Sequence, residues 1–176
     1  MIITQALKDL GYAAPSSYAT IKFKGDLVYK YQDMSWVHSD NTGMEITKLT
    51  HEFNVTREAH QAGFSPDVFS HEVLSEDTEL LVMERVYGCT LSQFMSMSMF
   101  RTPERHELVL SQLIELKERL QEFPWEHGDL HSNNIMVAVN GRVKLIDWGN
   151  SFIKRIYGDY ELDVCDLEHH ICNLRG

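Results

Sequence analysis

Cysteine is scarce in this chain. Cys89, Cys165 and Cys172 are the only three in 176 residues, and no two of them form a C-x-x-C pair. So odd and dispersed a count argues against a disulfide framework or a zinc site and points to reduced, buried or incidental thiols in a cytoplasm. Positive charge is also short: 16 Lys and Arg stand against 26 Asp and Glu, a formal net charge of −10. A non-specific nucleic-acid binder needs a basic surface to displace counterions from phosphates. An anionic membrane attracts the same kind of surface. Neither partner is expected. No apolar run approaches the roughly 20 residues of a membrane-spanning helix. The opening MIITQALKDLGY has neither the basic start nor the long apolar core of a secretory leader. Internal repeats and low-complexity linkers are lacking too. What is present is a hydrophobic content of 43%, enough for one domain or two small lobes with a real core.

The order of elements carries more information. YATIKF (Tyr18–Phe23) and LVYKY (Leu27–Tyr31) alternate like strands around a turn at Lys24-Gly25-Asp26. From about Asn41 to Gln61 the period becomes helical, with Ile46, Leu49, Phe53 and Thr56 on one face and Gly63 as the stop. Val68–Leu74 and Leu80–Val86 read as two further strands. Thr102-Pro103 is an N-cap followed by proline at the first helical position. The helix behind it puts Val109, Leu113, Leu116, Leu120 and Phe123 inward and ends at Pro124. His127–Asn134 reads as a loop, Ile135–Val139 and Val143–Ile146 as a hairpin turned at Asn140-Gly141. A last helix begins near Glu161, with Val164, Leu167, Ile171 and Leu174 inward.

The loop HGDLHSNN is dense in groups that handle protons and metals. Asp129 and Asn134 precede the first hairpin strand, and Asp147, in KLIDWGNS, follows the second. An antiparallel hairpin brings its outer ends together, so Asn134 and Asp147 become neighbours across 13 positions of sequence. An amide oxygen and a carboxylate at one strand end suit Mg²⁺, which takes hard oxygen ligands and borrows the rest from phosphates and water. Asp129 then stands beside the metal, placed to orient a hydroxyl. Each of these residues alone is an ordinary turn residue; together they are the parts of metal-assisted phosphoryl transfer.

HGDLHSNN and DWG resemble the catalytic loop and the D-F-G motif of the protein-kinase-like superfamily. The resemblance runs from about Tyr18 to Leu174. It implies an α+β, two-lobe protein-kinase-like fold with a truncated C-terminal lobe, divided into residues 1–86 and 87–176. It implies ATP with Mg²⁺ or Mn²⁺ as cofactors. Asp129 would be the catalytic Asp, Asn134 and Asp147 the metal ligands, and Trp148 would replace Phe. VYK puts Lys30 on the phosphates, paired with Glu52; Glu58 is a rival nearer the helix end. LLVMERVYG resembles the hinge strand, with Met83 at the gatekeeper position and the backbones of Glu84 and Val86 on the adenine edge. His131 stands where protein kinases have Lys and is either a phosphate contact or a support, whereas His127 reads as a packed structural residue. Asp166 in ELDVCDLEHH would brace the catalytic loop by accepting its backbone N–H groups. His169 and His170 are adjacent and make a poor metal pair. The run from Met95 to Met99 reads as packing, with a docking surface as the alternative.

His-Gly-Asp in place of His-Arg-Asp is similar to aminoglycoside and choline phosphotransferases and to the small RIO, lipopolysaccharide and KEOPS-complex kinases. Only 29 residues follow Asp147, with no A-P-E motif, so a partner protein is expected to supply the acceptor hydroxyl or to be the acceptor itself. The Gly-rich loop has no clear counterpart; GYAAPSSYA stands in its place, with Ser16-Ser17 as stand-ins for its glycines. Two functions follow. One is an ATP-dependent phosphotransferase moving the γ-phosphoryl group to a hydroxyl, such as Ser or Thr on a protein. The other is a non-catalytic or weakly ATP-hydrolysing module that binds and regulates a partner.

Overall fold

The computed structural model describes residues 13–15, 19–33, 49–154 and 162–175. Ser16 and Ser17, and the first part of the expected helix from Asn41 to Lys48, lie outside the described residues.

Strands β1 (Ala13–Pro15), β2 (Thr20–Lys24), β3 (Leu27–Asp33), β4 (Val68–Ser75) and β5 (Thr78–Glu84) form one antiparallel sheet in the order β1-β2-β3-β5-β4. Alternation sets their faces. Val28 and Lys30 on β3 lie opposite Met83 and Leu81 on β5, so these four share one face of the sheet. Helix α1 (Leu49–Gln61) packs against β4 and β5. It buries Leu49, Glu52, Val55, Thr56 and Ala59 at helical spacing. Leu49 joins Val68, Leu81 and Met83 in a small apolar cluster. At the N-terminal end of α1, the Glu79 carboxylate on β5 accepts from Thr50 N–H at 2.7 Å, from Thr50 Oγ1 at 3.1 Å, and lies 2.9 Å from His71 Nε2. A carboxylate there satisfies an orphan helix N–H and complements the helix dipole. Gly63 ends the helix with φ of 84°, a conformation that costs glycine nothing.

The second half is built from β6 (Gly88–Thr90), α2 (Leu91–Ser96), α3 (Pro103–Glu122), β7 (Trp125–Glu126), β8 (Ile135–Ala138), β9 (Val143–Leu145), β10 (Phe152–Ile153) and α4 (Leu162–Arg175). Thr102 caps α3 through Arg105 N–H at 3.3 Å, with Pro103 next to it. Val109, Leu113, Leu116 and Leu120 make its buried stripe, against which α4 packs. The main core runs from Phe94 through these residues to Ile135, Val137, Leu145, Trp148 and Leu167, and takes in Val55, Ala59 and Phe64 from the first half. Strands β6-β8-β9 form a sheet of three, and β7 pairs with β10.

Three expected boundaries shift. Strand β5 ends at Glu84, not Val86, because Glu84 and Arg85 turn their N–H groups to the carbonyls of Asp67 and Asp26, each at 2.8 Å. Strand β8 stops at Ala138 and β9 at Leu145. The short strands β6, β7 and β10 carry too few residues for a period to register in sequence. Among the cysteines only Cys89 is buried; Cys165 and Cys172 are exposed on α4.

Candidate active site

The β8–β9 hairpin brings its outer ends together: Ile146 N–H donates to the Asn134 carbonyl at 2.9 Å. Asp147 follows directly. It has φ 65° and ψ 63° and is the one non-glycine residue in the left-handed region among the described residues. Such a conformation costs an L-residue about 1–2 kcal/mol. Strain of this kind persists where the surroundings over-determine it, and it clusters at functional sites. Two contacts hold it here. Trp148 is fully buried and its indole N–H donates to Ser65 Oγ at 2.6 Å. The Asp147 Oδ1 lies 2.8 Å from Lys30 Nζ.

Lys30 also reaches Glu52 Oε2 at 2.7 Å, and Glu52 is only 2% exposed. Burial works against the Lys30 charge, but the carboxylates of Glu52 and Asp147 outweigh it and hold the ammonium above its ordinary pKa. Burial pushes the Glu52 carboxyl up while Lys30 pulls it back; the short contact is that of an ion pair. Asp147 is lowered: Lys30 more than offsets the burial that would raise it. The rival Glu58 is engaged elsewhere, accepting from the Trp125 indole N–H at 2.8 Å. That assigns the Lys30 partner among the two helix carboxylates by geometry.

Asn134 Nδ2 donates to the Asp129 carbonyl at 2.9 Å, which leaves its Oδ1 as the group available to a cation. Asp129 Oδ2 is 3.5 Å from both Asn134 Nδ2 and Asn150 Nδ2, and Oδ1 is 3.8 Å from His131 Nε2. His131 Nδ1 accepts from Asn133 N–H at 3.2 Å, so one nitrogen holds the loop while the other faces Asp129. His127 is fully buried against Trp148, with ring centroids 4.6 Å apart. Burial holds its imidazole below the ordinary value, hence neutral. Its Nε2 lies 2.9 Å from the Ile146 carbonyl, which only accepts, so Nε2 carries the proton. It is a packed structural histidine, as expected. Gly128 explains the missing Arg of the motif: its φ is 76°, and a Cβ there would collide with the Asn150 carbonyl.

One expected role is corrected. Asp163, not Asp166, braces the loop. Its carboxylate accepts from the backbone N–H of His127 and, at 3.4 Å, from that of Gly128. Asp166 is exposed. Asp163 lies within the buried stripe of α4 with Leu167, His170 and Leu174, whereas Asp166, one turn further on, falls at its exposed margin, so the docking of the helix and not its period selects Asp163. His169 is exposed and His170 buried, consistent with a poor metal pair.

Burial, with the Glu126 carboxylate beside it, pushes the Asp163 carboxyl up to about 7, against the pull of the His127 N–H. The folded value exceeds the ordinary 3.8, so the folded state holds the proton more tightly. The stability this gives is full below the ordinary value and is lost as pH rises through the folded one. Relative to Asp163→Asn, the wild type is therefore expected to lose stability as pH rises between these two values. Denaturant melts of both proteins across that window check this; a gap moving the other way would mean that the ionised carboxylate is the stabilising form.

A cavity of about 160 Å³ adjoins the ion pairs. Its apolar lining includes Ile21, Val28, Met83, Met136 and Ile146, with Lys30, Glu52, Asp147 and the stretch Glu84–Val86 also on its wall. Met83, on β5 opposite Val28, is on the wall of this cavity. The Glu84 N–H is committed to Asp67, so only its carbonyl is left for a ligand, whereas the Val86 N–H has no hydrogen-bond partner among the described residues. Apolar walls with a few convergent polar groups are the usual make-up of a small-molecule site. The oxygen donors of Asp147 and Asn134 fit a hard divalent cation.

Solved structures carry the same architecture. The chain resembles WbdD, described as a bifunctional kinase-methyltransferase, with 20% identity and a TM-score of 0.54 over 90% of this chain and 38% of that one. A higher-resolution WbdD structure gives 21% identity and a TM-score of 0.55 over 90% and 37%. A complex of WbdD with the kinase inhibitor LY294002 gives 21%, 0.51, 82% and 33%. The chain thus spans little more than a third of these proteins. The likeness shows the fold, a two-lobe kinase-like α+β arrangement. No curated protein is similar enough to count as a match. Residues 28–173 match the model of the ABC1 atypical kinase-like domain, and the chain belongs to that family.

Proposed function

We propose that the protein is an ATP-dependent phosphotransferase that moves the γ-phosphoryl group to a hydroxyl, such as a Ser or Thr of a partner protein. The observation that carries this reading is the position of Lys30, within 2.8 Å of both the helix carboxylate and Asp147. A pure scaffold has no need of a buried lysine held between two acids. Lys30 would position phosphates, with Glu52 fixing its rotamer. Asp147 and Asn134 would hold Mg²⁺ or Mn²⁺, which neutralises phosphate charge when bound. The backbones of Glu84 and Val86 would take the adenine edge. Asp129 would orient the acceptor hydroxyl and accept its proton, and His131 would steady that carboxylate. Catalysis of this kind is mostly positioning and electrostatics.

One observation favours the second reading, a module that binds nucleotide and regulates a partner with little transfer. Pro15 on β1 lies opposite Thr20 on β2, and the four residues between them, Ser16–Ala19, include no glycine. A phosphate-covering loop without glycine limits how closely the backbone approaches phosphate.

The test is thermal protection. ATP is expected to raise the melting temperature only with Mg²⁺ or Mn²⁺ present, because Asp147 otherwise faces an anionic triphosphate. Ligand at a hundred-fold excess over Kd adds about 2.7 kcal/mol to the folded state. Equal protection by ATP in excess chelator would remove the metal assignment. Protection without transfer to any hydroxyl would favour the regulatory module.

A further inference from the structure

On the far side of the stretch Glu84–Tyr87 from the nucleotide cavity, sharing only Glu84–Val86 with its wall, runs a trough. Two adjoining cavities form it, of about 610 and 400 Å³, sharing His60, Glu84, Arg85 and Tyr87 on their walls. The larger has Asp26, Asp67 and Phe69 at its wall; the smaller has Val139, Arg142 and Lys144. The trough is therefore acidic toward one end and basic toward the other.

On the wall that the two cavities share, the Arg85 guanidinium lies over one face of the Tyr87 ring, 4.6 Å from its centroid. Arg142 is exposed and has no ion pair among the described residues. Lys144 Nζ donates to neutral carbonyls, Gly63 at 3.2 Å and Ser65 at 3.1 Å, and forms no ion pair among the described residues. Burial pushes that amine below its ordinary value, Glu84 opposes this, and Arg142 and Arg119 push it further down. A basic locale is thus maintained on a protein whose net charge is −10. At the other end, among the described residues, the Asp26 carboxylate accepts from the Tyr87 hydroxyl at 3.0 Å and the Asp67 carboxylate has a loose contact with His60 at 3.7 Å.

Apolar groups stand along the same trough. Val139 is 72% exposed, Phe69 54% and Tyr87 44%. Phe69 is turned out by the register shift between Val68 and Ser70 on β4. Bulges at sheet edges re-aim side chains in this way. Val139 is held in place, its N–H donating to the Tyr87 carbonyl at 2.7 Å.

We propose that this trough docks an extended segment of the acceptor protein, with carboxylates toward Arg142 and Lys144, apolar side chains over Tyr87, Val139 and Phe69, and a basic residue toward Asp26 and Asp67. The proposal rests on the phosphotransferase reading and names its partner's chemistry. Charge complementarity sets the register and direction of the segment, and the apolar contacts hold it. Tethering the partner away from the nucleotide raises the local concentration of its hydroxyl at Asp129.

The test uses the full chain and a short fluorescein-labelled peptide with lysines at one end, leucines in the middle and glutamates at the other. A peptide of the same composition with alternating charges is the control. Anisotropy is expected to show tighter binding of the charge-segregated peptide, weakened by salt and by about ten-fold in Arg142→Glu. Val139→Asp is expected to weaken it as well. Both variants keep protection by Mg·ATP, since neither residue lines the nucleotide cavity. Equal binding of the two peptides, no effect of Arg142→Glu, or displacement by a single-stranded RNA oligomer as effective as by unlabelled peptide would overturn the proposal. Loss of Mg·ATP protection in the wild type would overturn the phosphotransferase reading and this proposal with it. Protection without preferential peptide binding would overturn the docking alone.

Discussion

Lys30→Met is expected to destabilise the fold by about 3–5 kcal/mol, the cost of leaving one member of a buried ion pair without its partner. The stranded group is Glu52, 2.7 Å from the lysine in the wild type and almost wholly inside the protein. Asp147 loses the same contact but is half exposed, so water takes over much of its solvation. The penalty therefore sits on Glu52. A double variant, Lys30→Met with Glu52→Leu, is expected to recover most of the stability, because an apolar pair of similar volume carries no desolvation cost. It should recover no transfer activity. Chemical denaturation of the wild type, both single variants and the double variant measures this coupling directly. A cost below about 1 kcal/mol for Lys30→Met would mean that the pair is hydrated and not the buried element described above.

Asp129→Asn is expected to lower phosphoryl transfer by on the order of a hundred-fold or more, the usual loss when a positioned general base is removed. Affinity for Mg·ATP should stay within a few-fold of wild type. Asn134 bonds the Asp129 backbone carbonyl, which the substitution leaves in place, so the loop keeps its shape. Asn also keeps one oxygen near Asn150 and His131. What goes is the charge and the basicity. Asp147→Asn should behave differently: it removes the principal charge facing the cation and one of the two acids on Lys30, so nucleotide binding itself weakens. Calorimetric affinity measured beside γ-phosphate transfer separates the two. If Asp129→Asn lost affinity as severely as Asp147→Asn, or kept full transfer, the assignment of roles within HGDLHSNN would fail.

Long periodic elements were readable from the chain alone. Thr102-Pro103 and the stripe from Val109 to Leu120 define α3, and the Gly25 and Gly141 turns define two hairpins, because capping, turn chemistry and burial period act within a few residues. The pairing of Asn134 with Asp147 was readable for the same reason: a hairpin fixes its own outer ends. The kinase-like reading of Lys30, Asp129, Asn134 and Asp147 follows from motif spacing, and all four positions fall within the residues 28–173 that match the family. Other features depend on neighbours far away in sequence. Whether Glu52 or Glu58 meets Lys30 turns on which side of α1 faces β3, and Trp125, 67 positions away, takes Glu58. Asp163 rather than Asp166 holds the catalytic loop because α4 docks with that side against His127. The short strands β6, β7 and β10 exist only because a partner strand lies alongside, and so carry no period of their own. The trough behind the hinge needs residues from 26 to 144 brought to one surface. Sequence by itself determined the chemistry available and the local frames that carry it. Tertiary packing decided which of several equivalent charges are buried together, since that choice is made by desolvation and contact distance, quantities that exist only once the chain has folded.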